Sequence, residues 1–278
     1  MAALEESGTA TGAGGRVLRA PGTDGACVFV KHFGAEGIPF GRRLHAVLSA
    51  FLPVGIWSAS PLLGARGLMA REWRKSAAFR AAGIAVPDLS AAGPEALATA
   101  DAGPDGQAVL KRLRRAGDAA GHDALLVALA ASLGRIHAAG LCHGRPHPRD
   151  TAPGEDGEIV WFDFEEEPEA VMPLLDAQAR DLWLLFLQVC ERAMDEGTPA
   201  RALAAYRQAA PAGVAPRLSV HLGRASWTLA LGRLLLRLHA GKDLRRYVGA
   251  TLCLRELLGT EAPAVVPAWS AEAGLPIR

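Results

Sequence analysis

The strongest constraint on this chain is a change of character near Ala119. From there to about residue 258 apolar residues recur mostly at helical spacing. The run 122–139 is apolar at that spacing and stops at Gly140, a residue suited to ending a helix. Helical patterns follow at 174–196, 199–210, 217–240 and 243–258. A loop over 141–157 and one short β-prone run, Ile159-Val160-Trp161-Phe162, are the main interruptions.

The first half reads differently. Residues 16–19 and 26–31 are strand-like, and the turn Pro21-Gly22-Thr23-Asp24-Gly25 between them suits a hairpin. The stretch 67–82 predicts a helix with Leu68, Met69, Trp73 and Phe79 near one face and Arg71, Arg74 and Lys75 elsewhere. Gly83 stops it, and Pro87 bars continuation. Residues 91–106, rich in Ala, Gly, Pro and Asp, read as a loop, and 107–113 as a further short strand. The plan is α+β: a disordered tail over 1–15, a small β-containing N-lobe over 16–113, a hinge over 114–118, a mostly helical C-lobe over 119–260, and an irregular tail over 261–278. No internal repeat is visible.

Composition excludes several classes. Of the 278 residues, 50% are hydrophobic and 21% charged, a balance that builds a packed core and argues against disorder. The net charge is +1, so no overall charge excess points to nucleic acid. Cys27, Cys142, Cys190 and Cys253 form no CxxC, which argues against a disulfide framework or a structural zinc site and for a reducing compartment. The first 15 residues lack the apolar core of a secretory signal. The apolar stretch 44–57 contains His45 and Pro53 and is too short to span a bilayer. Preceded by Arg42 and Arg43, it suits either a helix lying on a membrane surface or one covering a core.

Four features stand in a meaningful order: Lys31 ending Val28-Phe29-Val30-Lys31, Glu72 on the following helix, His143-Gly144-Arg145-Pro146-His147-Pro148-Arg149-Asp150, and Trp161-Phe162-Asp163-Phe164-Glu165. Together with Gly83-Ile84-Ala85-Val86-Pro87 and Arg180-Asp181-Leu182-Trp183, this series resembles the protein-kinase-like superfamily over about residues 16–260. It is most similar to small bacterial branches, the lipopolysaccharide kinases that act on Kdo and heptose and the aminoglycoside-phosphotransferase-like enzymes. The resemblance implies a protein-kinase-like bilobal fold, with Lys31 on the phosphates of ATP, Glu72 holding that lysine, Asp163 and Asp150 as magnesium ligands, and Asp181 bracing the catalytic loop.

The series departs from the family in three places. Aligned on His143, the pattern H-x-D-x-x-x-x-N has Arg145 at the Asp and Asp150 at the Asn. A guanidinium does not deprotonate at any relevant pH, so Arg145 is no base, although it suits a phosphate. Asp150 or Glu165 is then left to act as base, and His143 to hold the loop backbone near Asp163. Glu165 stands at the glycine of D-F-G, and Gly12, Gly14, Gly15, Gly22 and Gly25 make no clean phosphate loop. The implied function is an ATP- and Mg²⁺-dependent phosphotransferase acting on a sugar hydroxyl of a cell-envelope glycan or glycolipid. The alternative is a pseudokinase that binds nucleotide in a regulatory role.

A rival chemistry would use His137, His143, His147, Asp150 and Asp163 as ligands of a transition metal, although Pro146 and Pro148 forbid a helical two-histidine pair. Eight acids and no Lys or Arg lie between residues 155 and 169, beside the expected magnesium site. Residues 217–255 carry eight Lys or Arg and a single acid, Asp243, among many leucines. This basic region suits an anionic glycolipid or membrane surface, or else a core helix with a basic outer face. The expected place of action is the cytoplasm, with peripheral attachment at the inner face of the membrane as a further option.

Overall fold

The computed structural model describes residues 17–22, 27–33, 58, 60–154, 156–224, 226–238 and 241–259. The expected tails, the stretch 41–57, and Gly12, Gly14, Gly15 and Gly25 lie outside the described residues. The fold is α+β, a small antiparallel sheet followed by a mostly helical remainder.

β1 (Val17–Pro21) and β2 (Cys27–His32) form the expected hairpin, with Val17 opposite Lys31 and Pro21 opposite Cys27. The region expected to be a loop is instead a second hairpin, β3 (Leu89–Gly93) and β4 (Ala96–Ala100), with an irregularity between Ala91 and Gly93. Its alanines read as loop in isolation, but β4 pairs with β2 and so joins the sheet. The sheet order is β1-β2-β4-β3, so Lys31 sits on an interior strand, opposite the buried Leu97.

Between the hairpins lies α1 (Ala65–Ala81). Its buried residues are Arg71, Glu72, Lys75, Ser76 and Phe79, whereas Trp73 is 46% exposed. Of the expected apolar face Phe79 is buried in the core, but the rest of the buried side is polar, with Arg71 and Lys75 meeting acids and Glu72 meeting Lys31. The helix ends as expected: Gly83 is left-handed at φ 73°, and the Ile84 N–H returns to the Phe79 carbonyl at 3.0 Å.

Residues 107–113 are not a strand. They belong to α2 (Gly106–Arg115), which opens where the Asp105 carboxylate accepts the Ala108 N–H at 2.9 Å. Val109 and Leu110 are buried, and the helix packs on α3 (Ala119–Ala138). The change from strand to helix therefore falls upstream of the expected hinge at 114–118.

Further on come β5 (Thr151–Pro153) and β6 (Ile159–Trp161), then α4 (Leu174–Arg192), α5 (Thr198–Ala209), α6 (Val214–Arg224), α7 (Ser226–Leu238) and α8 (Lys242–Leu257). Over 217–240, the stretch expected to be helical, the described residues are helical on both sides of residue 225, α6 ending at Arg224 and α7 beginning at Ser226. The core joins Leu126, Leu129, Leu133, Trp161, Leu185 and Phe186, all fully buried. Trp161 donates its ring N–H to Ser132 at 2.9 Å, so its polar atom is satisfied in the core. Among the described residues α3 alone is long and apolar enough to cross a membrane, but Leu126, Leu129, Ala130, Leu133 and Ile136 on it are wholly buried within the protein.

The α3–α5 contact rests on Gly134. A Cβ there would stand 2.7 Å from the Tyr206 carbonyl and 3.1 Å from the Ala209 Cβ. We expect Gly134→Ala to destabilise the fold by about 1–3 kcal/mol in urea unfolding, against its helix-propensity gain, because backbone rather than a flexible side chain must give way.

Candidate functional site

Lys31 gathers three segments. Its Nζ lies 2.7 Å from Glu72 Oε2 on α1, 2.5 Å from Asp163 Oδ1 and 3.1 Å from Glu165 Oε1. Lys31, Glu72 and Glu165 are buried, and Asp163 is partly open. Burial alone would lower the lysine pKa, but the carboxylates of Asp163, Glu72 and Glu165 outweigh it and hold the ammonium charged. Burial raises the pKa of Glu72, although Lys31 opposes that shift.

The loop 141–150 is held from behind by Asp181, fully buried on α4. Its carboxylate accepts the His143 N–H at 2.6 Å and the Gly144 N–H at 3.0 Å. Those bonds, with the neighbouring His137, keep the Asp181 pKa low in spite of burial. Gly144 is left-handed at φ 102°, and a Cβ there would meet the Glu166 carbonyl at 2.6 Å. Arg180, beside Asp181, donates to the Gly144 carbonyl at 2.7 Å.

His143 is a backbone strut. Its Nε2 donates to the Phe162 carbonyl at 3.1 Å, and its Nδ1 accepts the Arg145 N–H at 3.4 Å. Its ring lies among those of Phe79, Trp161 and Phe164. Burial pushes its pKa down to about 4, so it is neutral near pH 7. His137 instead meets the Tyr206 hydroxyl at 2.7 Å, and His147 accepts the Arg149 N–H at 3.0 Å. His137 Nε2 is buried without a hydrogen-bond partner, 3.6 Å from Asp181 Oδ2. Among the described residues no group of three or more His, Cys, Asp and Glu is placed to hold a metal ion.

Asp150 and Asp163 leave the same end of the β5–β6 hairpin. Thr151 pairs with Trp161, and the Phe162 N–H bonds the Asp150 carbonyl at 3.1 Å. Asp150 is 3% exposed; its Oδ1 lies 3.3 Å from Arg149 Nε, and its Oδ2 is buried with no hydrogen-bond partner. Burial, reinforced by the Asp163 charge, pushes its pKa up to about 7. Arg145 reaches the same place, with Nη2 3.5 Å from Asp163 Oδ2. Asp163 takes the left-handed backbone, φ 66°, the sole non-glycine to do so among the described residues. The turn's positive φ therefore falls at 163, and Glu165 needs no glycine's freedom.

The acids of the run beyond Asp163 are largely taken up by cations. Arg71 donates to the Glu165 carbonyl at 2.7 Å and stands 3.3 Å from Glu167 Oε2; Arg74 also pairs with Glu167. Lys75 binds Glu169 at 2.9 Å and the Glu166 carbonyl at 3.0 Å, and Arg180 binds Glu166 at 2.7 Å. These partners escaped the sequence reading. The one signal available was the basic stretch 71–75, with three cations, against the acidic run 165–169, with four acids. The basic region of 217–255 is also partly spent: Arg217 pairs with Asp176 at 2.5 Å, Arg246 with Glu191 at 2.6 Å, and Arg255 is buried.

Lys31, Glu72, Asp163 and Glu165 thus meet in one cluster, Arg145 adjoins it through Asp163, and Asp150 faces Asp163 from the neighbouring strand end. His143 stands behind them. No known protein family matches the chain, and no curated protein matches it either.

Asp150 gives a signed pH prediction. A carboxylate pKa raised from 3.8 to about 7 means that folding favours the protonated form, so its ionisation costs stability as pH rises through that window. Asp150→Asn should raise Tm at pH 8, and the gain should shrink towards zero near pH 4. A gain independent of pH in thermal unfolding would contradict this.

Proposed function

We propose that the chain is a protein-kinase-like bilobal phosphotransferase that binds an ATP–Mg²⁺ complex between sheet and helical half. The observation that carries this reading is the convergence on Lys31 of Glu72 and Asp163, residues 41 and 132 positions away in sequence. An isolated lysine–carboxylate pair is common. A buried lysine on an interior strand, paired to a helix carboxylate and to a partly exposed aspartate, is the arrangement that phosphoryl transfer uses to grip phosphates.

The residues present fit a magnesium–nucleotide. Asp150 has a buried oxygen with no partner, and it faces a second carboxylate, Asp163. A divalent cation relieves that repulsion, and oxygen donors are what magnesium takes. Asp150 and Asp163 would hold the metal, and Lys31 would turn from Asp163 and Glu165 towards phosphate oxygens. Bound metal–nucleotide supplies the transferable phosphoryl group and neutralises charge developing on it. Arg145, fixed cationic and partly open, would hold a phosphate oxygen rather than accept a proton. The acceptor in this reading is a sugar hydroxyl of a cell-envelope glycan or glycolipid.

One observation favours a second reading, a nucleotide-binding pseudokinase. Arg145 stands where the family places its base, and a positioned base is worth about 10²–10⁴ in rate. Turnover separates the two.

The cluster around Lys31 has four carboxylates, from Glu72, Asp150, Asp163 and Glu165, against the cations Lys31, Arg145 and Arg149. Nucleotide without metal should therefore bind poorly. We expect millimolar ATP with Mg²⁺ to raise Tm by a few degrees, ATP with EDTA to leave it unchanged, and Asp163→Asn to lose the response. Glu165→Gln, which removes a competitor for Lys31, should lower the nucleotide Kd severalfold. No shift with ATP and Mg²⁺ would overturn nucleotide binding. A shift without ADP release, in the presence of sugar acceptors, would favour the pseudokinase.

A further inference from the structure

Cys190 and Cys253 are the one pair of thiols in contact among the described residues, and they play no part in the site above. Their sulfurs lie 3.1 Å apart, although 63 residues separate them in sequence. One sits near the end of α4 and the other in the last turns of α8. Both are partly accessible, and both are free thiols.

The surrounding contacts hold these two helices in register. Trp183 on α4 donates to the Thr251 hydroxyl on α8 at 3.2 Å, and its ring meets that of Tyr247 edge-on at 5.9 Å. Glu191, next to Cys190, pairs with Arg246. The sulfurs are therefore brought together by packing that does not depend on them, and a bond between them needs a shift of only about 1 Å in two side chains.

We propose that Cys190 and Cys253 form a reversible disulfide under oxidation, a modification site that clamps α8 to the helix bearing Asp181. The chemistry is asymmetric. Cys190 S–H donates to the Cys253 sulfur, which favours the Cys253 thiolate, while the same bond and burial hold Cys190 protonated. With a hydroperoxide as oxidant, Cys253 attacks the peroxide oxygen, giving a sulfenic acid and releasing an alcohol or water. The Cys190 sulfur then attacks the sulfenic sulfur, forms the S–S bond and expels water. A dithiol reductant returns both thiols. This inference is independent of nucleotide binding.

The full-length protein, treated with hydrogen peroxide, unfolded without reductant and digested, should yield a peptide linking Cys190 to Cys253 that dithiothreitol removes. Its Tm should rise by several degrees, because the crosslink closes a long loop in the unfolded chain. Cys190→Ser and Cys253→Ser should each abolish both effects. Cys27 provides the internal control: partly accessible, and hydrogen-bonded by Arg19, it offers peroxide a competing thiol. Oxidation at Cys27 with Cys190 and Cys253 still open to alkylation would overturn the proposal. So would a Tm rise that persists in both serine variants.

Discussion

A single buried ammonium ties the two halves of this protein together. Lys31 comes from the sheet, Glu72 from α1, and Asp163 and Glu165 from the segment after β6. A buried charge is tolerable only when it is paired, and removing one partner leaves the others uncompensated. The β2 strand, the α1 helix and the turn at 163–165 must therefore be in place together or not at all. Three carboxylates on one lysine also leave the locality electronegative, with Asp150 adding to the excess. The cluster is consequently both a structural joint and a place where a further cation would be welcome.

The same device recurs with the signs exchanged between side chain and backbone. Asp181 is wholly buried and spends its charge on the N–H groups of His143 and Gly144. Glu166, Glu167 and Glu169 spend their charge on Arg71, Arg74, Lys75 and Arg180. Through these bonds α1 packs by charge where a helix of this length ordinarily packs by hydrocarbon. Only Phe79, against Phe164 at 4.5 Å, continues the apolar core along that face. The cost of such packing is rigidity of register, since each ion pair fixes one residue of α1 against one residue of the acidic segment.

This charge-on-charge packing explains which parts of the structure could be read in the sequence. The helical half was legible because it follows apolar periodicity: α3, α4 and α5 lie close to where their patterns place them. So was the first hairpin, which has a turn between β-prone runs. For α1 periodicity placed Phe79 but not the rest of the buried side, because hydrophobicity cannot locate Arg71, Glu72 and Lys75. It also missed β3 and β4, whose alanines carry no strand signal until the two strands pair with each other and β4 pairs with β2. The strand expected at 107–113 failed for the complementary reason: Asp105 caps a helix there, and a cap is a single residue that a pattern of apolar positions does not register. Within the site, Lys31, Glu72 and Asp163 were legible as a series and do meet. Glu165 as a third partner of the lysine, and Arg180 as a brace, depend on three-dimensional proximity alone.

Arg145 is the residue on which the proposed chemistry turns, and magnitude decides how much it matters. Loss of a general base removes a factor that corresponds to roughly 3–5 kcal/mol of barrier lowering. Phosphoryl transfer draws most of its acceleration from positioning and charge, so such a loss slows a transferase without dismantling its site. Arg145 also adds something. It brings a permanent positive charge to Asp163, at the open side of a cluster that is otherwise overloaded with carboxylates. In the proposed reading that charge moves from Asp163 to a phosphate once metal takes the aspartate, which makes nucleotide and metal mutually dependent ligands. An aspartate at the same position would add a fifth carboxylate and shift the site further towards metal alone. In the proposed reading, the positive charge of Arg145 thus offsets part of the negative charge that Glu165 adds to the cluster.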